Sequence, residues 1–398
     1  MEHDNLSPLT GTISTAASIL TNTFGGHVQL DEGDDLGGSK RTVVRRCQVL
    51  DGPAGIPTSV IVKQNNVPIF DPDATTEPSW FFFNDWAAIE FLSSMEATRS
   101  FVPAFYGGDR TSGVFVLEDL GQGTRLDHLL LANDPVAAEE ALLAYAALHG
   151  RLHALTCDKQ TEYLHIRERL GPSTPASEYY TCRWLAPTLH IITNMLNIPV
   201  QPGADDELTT LAASLTNPGP FFTLIQSDAA PDNCLFDGTH WRLFDFEGGH
   251  YTHALLEAAY YRMPFPTCWC VYRLPENIMQ RVETAYRAEL VKGCPAAADD
   301  TLFYHGMVEA CVTWALNFHF MRPLEKMLEQ DRHLVALTDR QRFLLYLNSA
   351  VRASAEFDHL PATGATLRAI ADRLAQLWPE ATNPPYYPAF LPLLPMHD

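Results

Sequence analysis

The chain has 398 residues, long enough for two domains or for one large bilobal fold. Hydrophobic residues make up 46% and charged residues 19%, a globular balance that excludes extensive disorder. Its 27 Lys+Arg against 48 Asp+Glu give a formal net charge of −21, which argues against nucleic acid or an anionic membrane as a partner and leaves a cationic substrate open.

MEHDNLSPLT carries acids where a secretory signal would carry Lys or Arg, and no segment reaches the ~18 uninterrupted apolar residues of a membrane span. A soluble, cytoplasmic protein is expected. Eight cysteines are scattered without a CxxC pair, and Cys268-Trp269-Cys270 has the wrong spacing for a zinc knuckle, so reduced and mostly buried thiols are expected.

The first ~120 residues read as β-rich with one helix. Between the first two strands lies Leu36-Gly-Gly-Ser39. Its paired glycines let backbone N–H groups approach a phosphate and Ser39 could add a hydroxyl, although by itself the segment is a hairpin turn. Thr42–Leu50 and Ser59–Gln64 read as strands around the Asp51–Pro57 turn cluster, and Lys63 stands on the second of them. Ser79–Met95 reads as a helix whose apolar stripe is Phe82, Trp86, Ile89 and Leu92. Asp85 falls inside that stripe and needs a partner, for which Lys63 is the obvious candidate; Glu90 lies off the stripe and is the reserve acid. Strand-like Val102–Tyr106 and Gly113–Leu117 follow, ending in Glu118-Asp119-Leu120-Gly121.

Beyond Gly121 the pattern turns helical. Asp134 caps a helix that opens at Pro135 and runs to about Leu155. Further helices are expected over Asp205–Leu215, Thr252–Arg262, Glu276–Val291, Thr301–Phe320, Asp339–Ala355 and Thr366–Leu377, with a Pro-rich extended tail after them. His149 and His153, four apart on one helix, lack a third ligand at a matching offset and read as packing and capping groups. The aromatic segment Arg262–Tyr272 could wall a pocket or simply pack.

One island of strand and turn, Phe221–Phe246, interrupts the helices. A hydrophobic strand ends at Asp228, a step through Pro231 reaches Asn233, and a hairpin turned at Asp237–Gly238 returns a strand ending at Asp245. Two carboxylates and a carboxamide at strand ends suit phosphoryl transfer, which needs one carboxylate for the acceptor hydroxyl and hard oxygens for Mg²⁺.

The island resembles the catalytic and metal-binding loops of the aminoglycoside phosphotransferase and choline kinase-like families, with their H-G-D-x4-N and I/L-D-F/W-E patterns. It departs from them where Gln226-Ser227 stands for His-Gly. The resemblance implies an α+β, protein-kinase-like bilobal fold: a β-rich N-lobe over 1–118, a hinge at 119–122 and a helical C-lobe over 123–398. It makes Asp228 the catalytic base, Asn233 and Asp245 the Mg²⁺ ligands, and Lys63 the phosphate-binding lysine held by Asp85. Backbone groups around Glu118–Leu120 would bind adenine, Ser39 would lie near the phosphates, and an acid at Glu257 would buttress the catalytic loop. The implied activity is transfer of the γ-phosphoryl of Mg-ATP to a hydroxyl of a small molecule. Gln226 keeps open a non-catalytic nucleotide-binding module, and a GTP-dependent antibiotic phosphotransferase is a further alternative. Nothing in the sequence selects an acceptor or an oligomeric state.

Overall fold

The consecutive Val60, Ile61 and Val62 in Ser59–Asn65 give the central strand apolar side chains on both faces, and the computed structural model covers both with helices. The residues described are 8–38, 41–67, 70–74, 79–172 and 182–393. The chain divides into two compact units, Met1–Gly123 with Thr161–Thr174 and Phe236–Gly249, and Thr124–Gln160 with Pro175–Leu235 and His250–Asp398.

The first unit is built on an antiparallel sheet of β1 (Gln29–Leu30), β2 (Asp34–Gly38), β3 (Thr42–Asp51), β4 (Ser59–Asn65), β5 (Phe105–Asp109) and β6 (Val114–Glu118), in the order β1-β3-β4-β6-β5, with β2 also on β3. Val60 and Val62 of β4 and Val114 and Val116 of β6 pack with Ala16, Ile19 and Leu20 of helix α1 (Pro8–Phe24). This second helix was not expected: PLTGTISTAASILTNTF is rich in Ser and Thr, poor helix formers, and packing supplies what propensity lacks. On Phe115 lie Phe82 and Trp86 of α2 (Ser79–Ser94), with ring centroids 5.0 and 5.6 Å away. A Cβ on Gly108 would sit 2.1 Å from the Trp86 ring, so glycine is what lets β5 approach α2.

α2 is buried nearly all round from Ser79 to Leu92, so it shows less of a stripe than its sequence suggests, and Asp85 is inside at 3% exposure. The unit also holds most of another unexpected helix, Gln160–Leu170, and a hairpin turn in which Asp237 accepts from the Thr239 and His240 amides.

In the second unit the long helix Pro135–Thr156, capped by Asp134, packs against Glu276–Leu290. Ala204–Thr216, Asp300–Met321, Asp339–Glu356 and Pro361–Leu377 fall within a few residues of expectation, while Leu185–Leu196 was not anticipated. The expected helix Thr252–Arg262 forms differently. His250–His253 pairs antiparallel with Phe222–Ile225, and helix is confined to Leu255–Ala258 with a 3₁₀ turn after it, because pairing outweighs local propensity. The Pro-rich tail is not wholly extended: Pro388–Leu393 coils into 3₁₀ turns. The eight cysteines are free thiols, all buried except the half-buried Cys157. Among the described residues no helix is long and apolar enough to cross a membrane.

Candidate active site

Lys63 reaches its position because β4 places it on the α2 side of the sheet, beside Phe115 in register. Its Nζ lies 2.6 Å from Asp85 Oδ2 and 3.0 Å from Asp245 Oδ1. The other Asp85 oxygen accepts the Phe246 amide at 2.7 Å, so one helical carboxylate holds both the lysine and the loop carrying Asp245. Burial alone would drive Lys63 towards neutrality, but the Asp245 and Asp85 carboxylates outweigh it and hold the ammonium well above its ordinary pKa. Side-chain exposure is 8% at Lys63, 4% at Asp85 and 35% at Asp245, so Asp245 is the member that solvent reaches.

Glu90, the reserve partner, faces elsewhere: it accepts from Trp86 Nε1 at 2.8 Å and from Arg169 at 2.6 Å. Three residues that local patterns do not mark complete the support of the Asp245 loop. Asn84 donates to the Glu247 carbonyl at 3.3 Å, Arg167 Nε holds Asn84 Oδ1 at 2.8 Å, and Arg41 Nε reaches Glu247 Oε2 at 3.2 Å. Burial, reinforced by the Asp245 charge, raises the Glu247 carboxyl to about 7 despite Arg41.

At the end of β6 the Glu118 carboxylate binds the Ala104 amide at 2.9 Å and Arg242 at 2.7 Å, and Arg242 also reaches Asp237 at 2.9 Å. Asp119 takes both arms of Arg46, at 2.8 and 3.0 Å, together with Ser59 and the Gly121 amide. Burial opposes these bonds, yet together they lower its pKa. The Glu118 and Asp119 side chains are thus committed to structure, which leaves backbone groups as what this segment offers a ligand. Leu120 is half-buried in the connection that follows. Ser39 lies outside the described residues.

The second unit holds Asp228 and Asn233. The Phe222–Ile225 strand delivers Gln226, then Ser227 turns the chain with φ 72°, a left-handed conformation that glycine favours. Ser227 therefore keeps the conformation that a glycine in this position would adopt. Its amide donates to Glu257 Oε1, and its carbonyl accepts from Tyr260 Oη at 3.0 Å. A 3₁₀ turn, Pro231–Asn233, returns the Asn233 amide group to Asp228, where Nδ2 lies 3.0 Å from the carbonyl and 3.3 Å from Oδ2. With its NH₂ so engaged, Asn233 keeps its carboxamide oxygen as an acceptor.

The two histidines of Pro135–Thr156 brace this loop. His149 Nε2 lies 3.2 Å from the Gln226 carboxamide oxygen, and its Nδ1 lies 3.1 Å from the Tyr145 carbonyl. Burial lowers the His149 pKa. His153 spans Tyr286 Oη and Glu257, each at 2.8 Å. Burial pushes the Glu257 carboxyl up, but His153 and the Ser227 amide outweigh it and the net direction is down. On the aromatic segment the indole of Trp269, itself 39% exposed, donates to Asp232 at 2.9 Å.

Lys63, Asp85 and Asp245 thus come together in one unit, and Asp228 and Asn233 in the other. The architecture, a curled antiparallel sheet with helices in one unit and a mainly helical second unit, is the α+β protein-kinase-like fold. Solved structures share that fold. A Ralstonia eutropha JMP134 protein with a provisional aminoglycoside phosphotransferase designation superposes with a TM-score of 0.50 at 11% identity, covering 89% of this chain and 97% of its own. Choline kinase from Cryptosporidium parvum Iowa II gives 0.45 at 12% identity over 90% and 92% of the two chains. A choline/ethanolamine kinase family protein from Mesorhizobium loti gives 0.43 at 12% over 87% and 94%. At these identities the likeness shows the fold alone. No family model matches the sequence. No curated protein matches it either.

Proposed function

We propose that this chain is a small-molecule kinase that transfers the γ-phosphoryl of Mg-ATP to a hydroxyl of a small, cationic acceptor. The observation that carries the proposal is Lys63 held between Asp85 and Asp245, a buried ammonium fixed beside a half-buried carboxylate. Residues 1–118 bind the nucleotide, 119–122 serve as the hinge and 123–398 carry the acceptor and the catalytic loop. Lys63, positioned by Asp85, contacts the nucleotide phosphates, and the backbone around Glu118–Leu120 receives the base. Asp228 orients the acceptor hydroxyl and receives its proton.

The donor set suits Mg²⁺: the Asp245 carboxylate is accessible, and the Asn233 oxygen is left over once its NH₂ has bound Asp228. Bound with the nucleotide, the ion would neutralise charge on the transferring phosphates. Asp232 and the exposed face of Trp269 together offer a carboxylate and a π surface, a pairing that suits an ammonium group on the acceptor.

Gln226 in place of histidine favours a binding module without turnover only if the loop is slack. The His149–Gln226 contact and the Glu257 bond to Ser227 hold it instead. The test is a panel of hydroxylated amines, sugars, aminoglycosides and macrolides incubated with Mg-ATP or Mg-GTP, read as phosphorylated product by mass spectrometry. A kinase gives a metal-dependent phosphate ester of at least one amine-bearing acceptor. Nucleotide binding without any product across the panel supports the non-catalytic module instead.

A further inference from the structure

Acids outnumber bases 48 to 27 in this chain, so an arginine without a close carboxylate runs against the composition. Other arginines follow the composition: Arg46 forks onto Asp119, and Arg262 bridges Glu283 and Glu356. Arg273 and Arg368 are among those in the second unit that do not, and Arg352 beside them has only a long pair. The Arg273 guanidinium lies 4.3 Å over the Tyr386 ring and reaches the Asn383 amide oxygen only at 3.5 Å. Arg352 stands 3.9 Å from Glu276 and 3.5 Å from Ser349 Oγ. Arg368 makes no ion pair among the described residues.

These three side chains line one cavity of about 290 Å³. They come from three segments: Arg273 from the connection before Glu276–Leu290, Arg352 from Asp339–Glu356 and Arg368 from Pro361–Leu377. Arg273 is fixed by its backbone, which donates to the Pro385 carbonyl at 2.9 Å and accepts from Tyr387 at 3.0 Å. Asn348 and Thr382 add neutral polar groups, Leu344 and Val351 add apolar surface, and no carboxylate stands among the described lining residues. A neighbouring cavity of about 80 Å³ shares Arg273 and Arg352 but includes Glu276 and Glu356, so its charge is balanced. The larger one has no carboxylate in its own described lining, so the long Arg352–Glu276 pair offsets one of its three charges at most. Three like charges around one space repel each other, and an anion between them removes that cost.

We propose that this cavity binds a small organic oxyanion, a carboxylate or a phosphate monoester, whose apolar body rests on Leu344 and Val351. Guanidinium groups match both oxyanions through paired N–H donors, and the Tyr386 ring packs against one of them. None of the lining residues belongs to the proposed catalytic or nucleotide-binding set, so this is a second site.

The test is isothermal titration of the full chain with phenyl phosphate, benzoate and inorganic phosphate. The wild-type protein should bind phenyl phosphate or benzoate saturably and more tightly than inorganic phosphate, and which organic probe binds better identifies the head group. Arg352→Ala/Arg368→Ala should weaken that binding by about tenfold or more, with circular dichroism matching the wild type. Arg368 is exposed and unpaired within the described residues, so Arg368→Gln serves if the double variant does not fold, and it too must weaken binding. Absence of saturable binding by both organic probes overturns the proposal, as does an unchanged affinity in a folded variant.

Discussion

Ser227 and Asp245 hold φ angles of 72° and 64°, on the two sequence stretches assigned to chemistry. A left-handed conformation costs a residue with a side chain about 1–2 kcal/mol, and tertiary bonds must hold it there. For Ser227 those bonds come from Glu257 and Tyr260. Ser227→Gly should therefore be nearly neutral, because relief of strain is offset by the about 0.5–1 kcal/mol of extra freedom glycine has when unfolded. Ser227→Val should lose about 1–2 kcal/mol in urea unfolding, since a β-branched residue tolerates this φ least. His253 gives a pH prediction. It is buried against Phe221, its Nδ1 accepts the Leu255 amide at 3.2 Å, and burial pulls its pKa from 6.5 to about 4. The unfolded chain binds the proton first, so the stability His253 supplies is complete above pH 6.5 and drains as pH falls towards 4. Unfolding free energies measured across that window should fall by a few kcal/mol in the wild type and by clearly less in His253→Asn.

Among the elements, the pair Pro135–Thr156 and Glu276–Leu290 depends on Gly150. A Cβ there would lie 2.4 Å from the Tyr286 carbonyl oxygen, a backbone atom that moves only with its helix. Alanine would gain about 1 kcal/mol of helix propensity, and the enforced separation costs about 1–3 kcal/mol. Gly150→Ala should thus be neutral to destabilising by up to about 2 kcal/mol in thermal or urea melts, and a stabilised variant would show that the helices sit further apart. Legibility followed the same logic of distance. The Lys63–Asp85 pair could be read because it joins neighbouring elements, a strand and the next helix, and an acid among apolar residues advertises a partner. His149 and His153 could not be connected to the Gln226–Asn233 loop, because their partners Gln226 and Glu257 lie 77 and 104 residues away. Helix Pro8–Phe24 was hidden by its threonines and serines, and strand His250–His253 by a helical pattern that only its pairing with Phe222–Ile225 overrules. Arg167 and Asn84 support the Asp245 loop through a bond that spans 83 residues, with no local pattern to mark it.

On the scale of the whole molecule, the fold is shared with a protein only 11% identical, so most of the surface and much of the core are free to differ. In this chain the order of elements brings a strand lysine to a helical acid and sets Asp245 beside them, the arrangement on which the proposed kinase chemistry rests. The net charge of −21 favours approach by a cation and adds nothing to the fold. The most direct measurement compares wild type with Asp228→Asn, in the presence of Mg-ATP and an acceptor found in the panel. If Asp228 carries the acceptor proton, kcat falls by about 10²–10⁴-fold while the nucleotide Kd stays within about twofold. Undiminished kcat in Asp228→Asn would contradict the assignment of the base and of the chemistry built on it.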